Sequence, residues 1–234
     1  MNKEWSELNK VMQTQLKKRD IYEQGIATLF ELRGRLADTI SSFRDELTDG
    51  QFSAIPFINA DGYHSKTIAY SLWHIFRIED IVAHTLIAGD EQAFFRGSYQ
   101  KRTNSPMITT GNELVKQQIA DFSAKLDIGE LYAYISEVKS STEELLRGLT
   151  FDELKNKISA ERRAELLSLG VVSPDENAAW LVDYWCGKDI RGLIQMPFSR
   201  HWIMHVEACL RIRDKLKLAQ RNNIKKLGAP VWSA

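Results

Sequence analysis

Turn-forming residues are scarce in this sequence, with only 13 glycines and 5 prolines in 234 residues. That shortage argues against an architecture of many short strands and favours a few long helices. Cysteine is rarer still. The two present, Cys186 and Cys209, make no disulfide framework, so a reducing, cytoplasmic location is expected. An excess of either charge is also missing: lysine plus arginine count 31 and aspartate plus glutamate count 31. Neither a nucleic-acid partner nor an acidic solvating tail is implied. One local basic stripe exists, Arg211, Arg213, Lys215, Lys217, Arg221, Lys225 and Lys226, and reads as a solvated face near a helix C-terminus. Long hydrophobic runs are absent as well. The longest uncharged apolar stretch, Ala178 to Val182, is too short to span a bilayer, and the charged N-terminus has no apolar signal core, so no membrane partner is expected.

What is present is the composition of a globular chain with a real core, 44% hydrophobic and 26% charged. A stripe of Ile26, Leu29, Phe30, Leu32, Leu36, Ile40 and Phe43 recurs at spacings of three and four, predicting one helix from about Trp5 to Leu47. Turn signals follow at Asp49-Gly50, Pro56 and Asp61-Gly62. A second helix is expected from Ser65 to Ala88, stopped by Gly89, then a mixed stretch with a short helical piece from Glu113 to Phe122. A third helix reads from Ile128 to Leu149. Thr150-Phe-Asp-Glu153 fits a capping box opening a helix to Leu169, and Ser173-Pro-Asp-Glu176 fits a second, opening a helix to Cys186. Pro197 is expected to break the chain, with Ser199 capping a last helix that runs to about Asn222. The whole is read as an all-α four-helix bundle with helical insertions, one domain over residues 1–234 whose last ten or so residues form a tail.

The candidate chemistry lies in five histidines. His201 and His205 are spaced i, i+4; four residues turn ~400°, so both imidazoles point the same way, about one turn apart. Such a pair can grip one metal ion, but only with a third ligand from another helix. His74 is the candidate. It shares a face with Thr67, Tyr70, Ser71, Ile78, Ile81 and Thr85, the stripe a bundle would bury, where its nitrogens need either a metal or hydrogen-bond partners. Glu79, Asp80 and Glu207 are near these histidines in sequence and are candidates to orient one of them, or else are surface charges pairing with Arg77 and Arg211. Tyr70, Trp73, Trp180, Trp185 and Trp202 are candidate pocket walls or plain core. His64 and His84, ten residues either side of His74, are turned ~80° off its face and read as bystanders. Cys209 continues the face of His205 and is either a ligand or a small buried hydrophobe. No G-x-S-x-G elbow, P-loop or G-x-G-x-x-G is present, and no Glu-x-x-His that a di-iron bundle would need.

Trp73-His74-Ile-Phe-Arg77-Ile-Glu79-Asp80 followed far downstream by His201-Trp-Ile-Met-His205-Val-Glu207 resembles the DinB/YfiT-like family, which is distinct from the DNA polymerase sharing the DinB name. The resemblance implies a four-helix bundle whose metal ligands are His74, His201 and His205. It covers the core helices, whereas residues 90–126 and 151–198 depart from the compact family pattern. It further implies one divalent ion, with Zn or Ni suited to nitrogen ligands and Fe or Mn also open. The implied activity is a metal-dependent transferase of low-molecular-weight thiols to electrophiles, those two small molecules being its partners. Two alternatives stand beside it: a metal-dependent hydrolase using metal-bound hydroxide, and a non-catalytic stress-associated metal-binding protein. A homodimer is left open.

Overall fold

The computed structural model describes residues 2–227, with side chains to Asn222. Among the described residues the chain is all-α, with no strand and a single isolated bridge between Lys157 and Asp189. No helix among the described residues is long and apolar enough to cross a membrane. Most of the expected tail lies outside the described residues, as do the side chains of Lys225 and Lys226.

The expected first helix is two helices, α1 (Lys3–Gln15) and α2 (Tyr22–Glu46), that fold back on one another. The break falls at Leu16–Ile21, and the glycines Gly25 and Gly34 both lie inside α2. Gly25 is where the two helices touch: a methyl there would lie 2.9 Å from Leu16 Cδ2 and 3.1 Å from Gln15 Cβ. The glycine is thus a contact point that lets α1 lie close, and Leu16 is fully buried as a result.

The next long helix, α3 (Ile68–Asp80), begins later than expected because Thr67, not Ser65, caps it; the Thr67 hydroxyl accepts from the Tyr70 N–H at 3.0 Å. All thirteen residues of α3 are buried, so it is the central helix. It continues as π-helical turns over Ile81–Ala88 and stops at Gly89 in the left-handed conformation, φ 74°, as expected. The short piece predicted from Glu113 to Phe122 is observed as Gln117–Ser123. α4 (Ile128–Gly148) matches its predicted span and is capped by Asp127, which accepts from the Glu130 N–H at 2.9 Å.

Only the Glu153 half of the Thr150–Glu153 box forms, with Glu153 accepting from the Thr150 N–H and hydroxyl at 2.7 Å each, and it opens only a 3₁₀ turn, Glu153–Lys155. The chain then turns extended because Asn156 accepts from the Ile190 N–H at 3.1 Å and Lys157 bridges to Asp189. The helix in this stretch is α5 (Ala160–Ser168), capped by Ser159. The second box is also displaced: α6 (Glu176–Cys186) is capped by Asp175, leaving Pro174 outside. After α7 (Ile190–Gln195), Pro197 does not break the chain. It sits at the start of a π-helical turn, Met196–Arg200, where its missing N–H costs nothing, and this turn feeds directly into α8 (His201–Leu227). Ser199 is therefore no cap; its buried hydroxyl donates to the Ile194 carbonyl at 3.0 Å.

α2, α3, α4 and α8 touch in a cycle, α2 to α8, α8 to α3, α3 to α4 and α4 to α2. Arg33 on α2 sits at its centre, fully buried. It donates to both Glu79 oxygens on α3 at 2.7 and 3.0 Å, to Glu143 on α4 at 3.2 Å, and to the Phe198 carbonyl at 3.1 Å. Its guanidinium also lies 4.4 Å over the ring of Trp202 on α8, whose indole N–H donates to Glu79 at 2.7 Å. Removing one partner of such a pair leaves a buried charge only partly compensated. Glu79→Ala should therefore lower unfolding stability by about 3–5 kcal/mol in urea titration; a loss under about 1 kcal/mol would show that the guanidinium finds adequate partners without Glu79.

Candidate metal centre

His74 lies about two turns beyond the Thr67 cap of α3, and His201 and His205 occupy the first turns of α8. Contact between those two helices brings the three rings together. Their centroids are 5.1 Å apart for His74 and His201, 4.9 Å for His74 and His205, and 4.6 Å for His201 and His205. One nitrogen from each lies within 4.8 Å of the others. These are the residues the sequence singled out, and they converge.

All three rings are buried, and the hydrogen bonds around them are few. His74 Nδ1 lies 2.6 Å from the Thr110 carbonyl, so that nitrogen carries the proton and Nε2 is left with its lone pair. Nδ1 of His201 and both ring nitrogens of His205 have no hydrogen-bond partner among the described residues. Burial drives the His74 pKa down to about 4 and holds His201 and His205 well below the usual imidazole value; neighbouring imidazoles and Lys66 push the same way. At neutral pH the cluster is therefore three uncharged bases with unspent lone pairs, each buried orphan costing about 1–3 kcal/mol.

A divalent cation removes that cost, and the donor set fits one: three neutral imidazoles with a carbonyl fixing the tautomer of the first. Nitrogens around Zn at ~2.1 Å stand about 3.4 Å apart in a tetrahedral arrangement, so closure needs movements within reach of side-chain rotation. These three buried histidines could hold a metal ion.

Beside the cluster is a cavity of about 200 Å³. The histidines form its floor; α6 supplies Trp180, Leu181, Tyr184 and Trp185, and Tyr63, Asn112, Met196 and Pro197 complete it with Ile78. Trp180 is 50% exposed and Tyr63 43% exposed, placing both at the mouth. Tyr63 meets the His205 ring edge-on at 4.8 Å. Among the described residues no aspartate, glutamate, lysine or arginine lines the cavity.

The remaining sequence candidates lie elsewhere. Glu79 is committed to Arg33 and Trp202. Asp80 accepts from the Ala93 and Phe94 N–H groups at 2.8 and 2.9 Å and from the Tyr134 hydroxyl at 2.9 Å. Glu207 accepts from the Asn2 backbone N–H. Glu79 and Asp80, five and six residues beyond His74, are turned by the helix to other faces and are not bonded to the three imidazoles among the described residues. Tyr70 stacks behind His74 at 5.4 Å with its hydroxyl donating to the Gly111 carbonyl, while Trp73 and Trp202 are core, packed on Phe122 and Phe76. None of the three lines the cavity, whereas Trp180 and Trp185 do. Being one residue from a ligand histidine, Trp73 and Trp202 point ~100° away from it. Cys209 is fully buried, its thiol pushed up to about 12 by burial, and it is not among the side chains grouped with the three imidazoles. His64 packs edge-on against Phe57 at 5.2 Å.

The sequence reading missed Thr110, Tyr63, Asn112, Tyr184, Met196 and Pro197. Gly111 was the available signal. Its φ is 75°, and a methyl there would lie 3.0 Å from Trp73 and 3.1 Å from Tyr70, so only glycine lets this loop lie against α3 and aim the Thr110 carbonyl at His74.

The depressed His74 pKa has a definite sign for stability. As pH falls, the unfolded chain takes up the proton first, near 6.5, while the folded chain resists until about 4. Stability from this group is fully present above pH 6.5 and is lost between 6.5 and about 4. Chelator-treated protein followed by urea unfolding should weaken across that window, and His74→Gln should weaken less; parallel curves would show that the folded imidazole titrates freely.

Compared with protein-family models and with curated proteins, the chain matches none.

Proposed function

We propose that this chain is a divalent-metal-dependent transferase of DinB/YfiT type that joins a low-molecular-weight thiol to an electrophile. The observation that carries the reading is three uncharged imidazoles with unpartnered nitrogens on the floor of a cavity that contains no carboxylate. The cycle of contacts among α2, α3, α4 and α8, with one ligand on α3 and two on α8, supports reading the fold as that family's four-helix bundle. Nitrogen donors favour Zn or Ni over Fe or Mn. Such an ion, when bound, lowers the pKa of a thiol presented to it, so that thiolate is available at neutral pH.

The chain's own residues account for the rest. The Thr110 carbonyl holds the His74 tautomer that leaves Nε2 free. Neutral ligands leave the ion's charge uncompensated, and half-buried Lys66 adds to the positive field felt by His74 and His205. An anionic ligand is favoured on both counts. Trp180, Tyr184 and Trp185 form an apolar wall that excludes water and suits the hydrophobic body of an electrophile. Hydrolysis of an ester or amide is the weaker reading, since no lining carboxylate is placed to move a proton to a leaving group. A purely metal-storing role fits less well with a cavity open beside the ligands.

Protein loaded with Zn or Ni should conjugate a generic aryl electrophile to at least one member of a panel of small thiols, and His74→Ala should lose more than about a hundredfold of that rate. Turnover of esters without thiol would favour the hydrolase, and one retained ion without any turnover would favour the non-catalytic reading. Failure of the purified protein to bind any divalent ion would sink all three.

A further inference from the structure

A second constellation lies on the order of 15 Å further along the same helix, ten residues beyond His74. It lines a cavity of about 720 Å³ beside the π-helical turns Ile81–Ala88. His84 Nδ1 is 2.7 Å from Asp90 Oδ1, and His84 Nε2 is 2.9 Å from Ser141 Oγ. The order of groups is carboxylate, imidazole, hydroxyl, with the imidazole bridging through its two different nitrogens. Nδ1–H donates to Asp90, which leaves the Nε2 lone pair to accept from the Ser141 hydroxyl. That is the arrangement by which a serine is made nucleophilic.

The geometry is built by the fold. π-helical turns are rare and concentrate at functional sites. Here they end at Gly89, whose φ of 74° turns the chain so that the Gly89 and Asp90 N–H groups both donate to the His84 carbonyl, at 2.7 and 3.1 Å. Asp90 is thereby folded back onto the imidazole six residues before it. Ser141 arrives from α4, its hydroxyl nearer to His84 than to its other acceptor, the Val138 carbonyl at 3.2 Å. Asp80 Oδ1 stands 4.0 Å from His84 Nε2, a second carboxylate able to stabilise an imidazolium. Arg96 and Asn156 line the same cavity and carry side-chain N–H donors of the kind an oxyanion needs, while Leu145, Leu149 and Ile190 give it apolar walls.

We propose that Ser141, His84 and Asp90 form a second active site, independent of the three-histidine centre, that hydrolyses small carboxylic esters. Ser141 Oγ attacks the ester carbonyl as His84 Nε2 takes its proton, and Asp90 holds the imidazole in position. Collapse breaks the bond from carbonyl carbon to the leaving oxygen, which receives that proton. Water then attacks the acyl-serine, giving one proton to His84; the bond to Ser141 Oγ breaks, the proton returns to Oγ, and the carboxylic acid leaves. Water is the only co-reactant and no net oxidation occurs.

The test uses the full chain in the presence of chelator, with a fluorophosphonate probe and an activated aryl acetate. Peptide mass spectrometry should find one phosphonyl adduct, on Ser141. Ester hydrolysis should vanish in Ser141→Ala and fall about 10²–10⁴-fold in His84→Gln. Asp90 has a largely exposed side chain, so Asp90→Asn should fold normally; its hydrolysis should be slowed because the amide no longer fixes the tautomer. No adduct on the wild-type chain, an adduct elsewhere, or hydrolysis undiminished in Ser141→Ala would overturn the proposal. So would loss of labelling on chelation, which would assign the activity to His74, His201 and His205.

Discussion

One buried guanidinium holds this molecule in register. Arg33 reaches α3 through Glu79, α4 through Glu143, and α8 through the face of Trp202, and Glu79 in turn accepts from the Trp202 indole. A charge inside a protein tolerates few arrangements, because any rotation that unpairs it costs several kcal/mol. Fixing Glu79 against Trp202 sets the rotation of α3 against α8. His74 lies five residues before Glu79 and His201 one residue before Trp202, so the same constraint that satisfies the charge turns the imidazoles toward one another.

The insertions finish what the core begins. The stretch between α3 and α4 lies along α3 closely enough for its carbonyls to meet polar side chains there: Thr110 to His74, Gly111 to Tyr70, and Ile108 to Arg77. The stretch between α4 and α8 packs α5 on the π-helical turns and α6 on α5, bringing Trp180 and its neighbours over the histidines. The long helices thus hold the three imidazoles that could take a metal ion, and the intervening segments form the cavity beside them.

α3 and the π-helical continuation that places His84 in the second cavity carry two histidine stations, one on either side of the buried Arg77, Glu79 and Asp80. At the first, lone pairs are left unpartnered. At the second, every group has a partner, and the partners are ordered so that a proton can be passed along them. A buried imidazole is stable in either setting, but only the first calls for a cation.

The helical class, the spans of α4 and α6 and the stop at Gly89 were legible in the sequence, because periodicity and caps are local properties. The histidine trio was legible only in part: spacing made His201 and His205 a pair and His74 a candidate, and the resemblance to the DinB/YfiT-like family implied the set. The break at Leu16–Ile21 was hidden because an apolar stripe continues across a hairpin as smoothly as along one helix. Thr150–Glu153 formed half its box and failed to open a long helix, since pairing with Asp189 and Ile190 outweighed a local signal. His84 read as a bystander for the same reason: its partners, Asp90 and Ser141, are set by a π-helical turn and by a neighbouring helix, which no spacing rule contains. Local interactions, fixed by neighbours a few residues apart, are written in the sequence. Which faces meet, and therefore which polar groups find partners, is settled by packing over distances that the sequence does not mark.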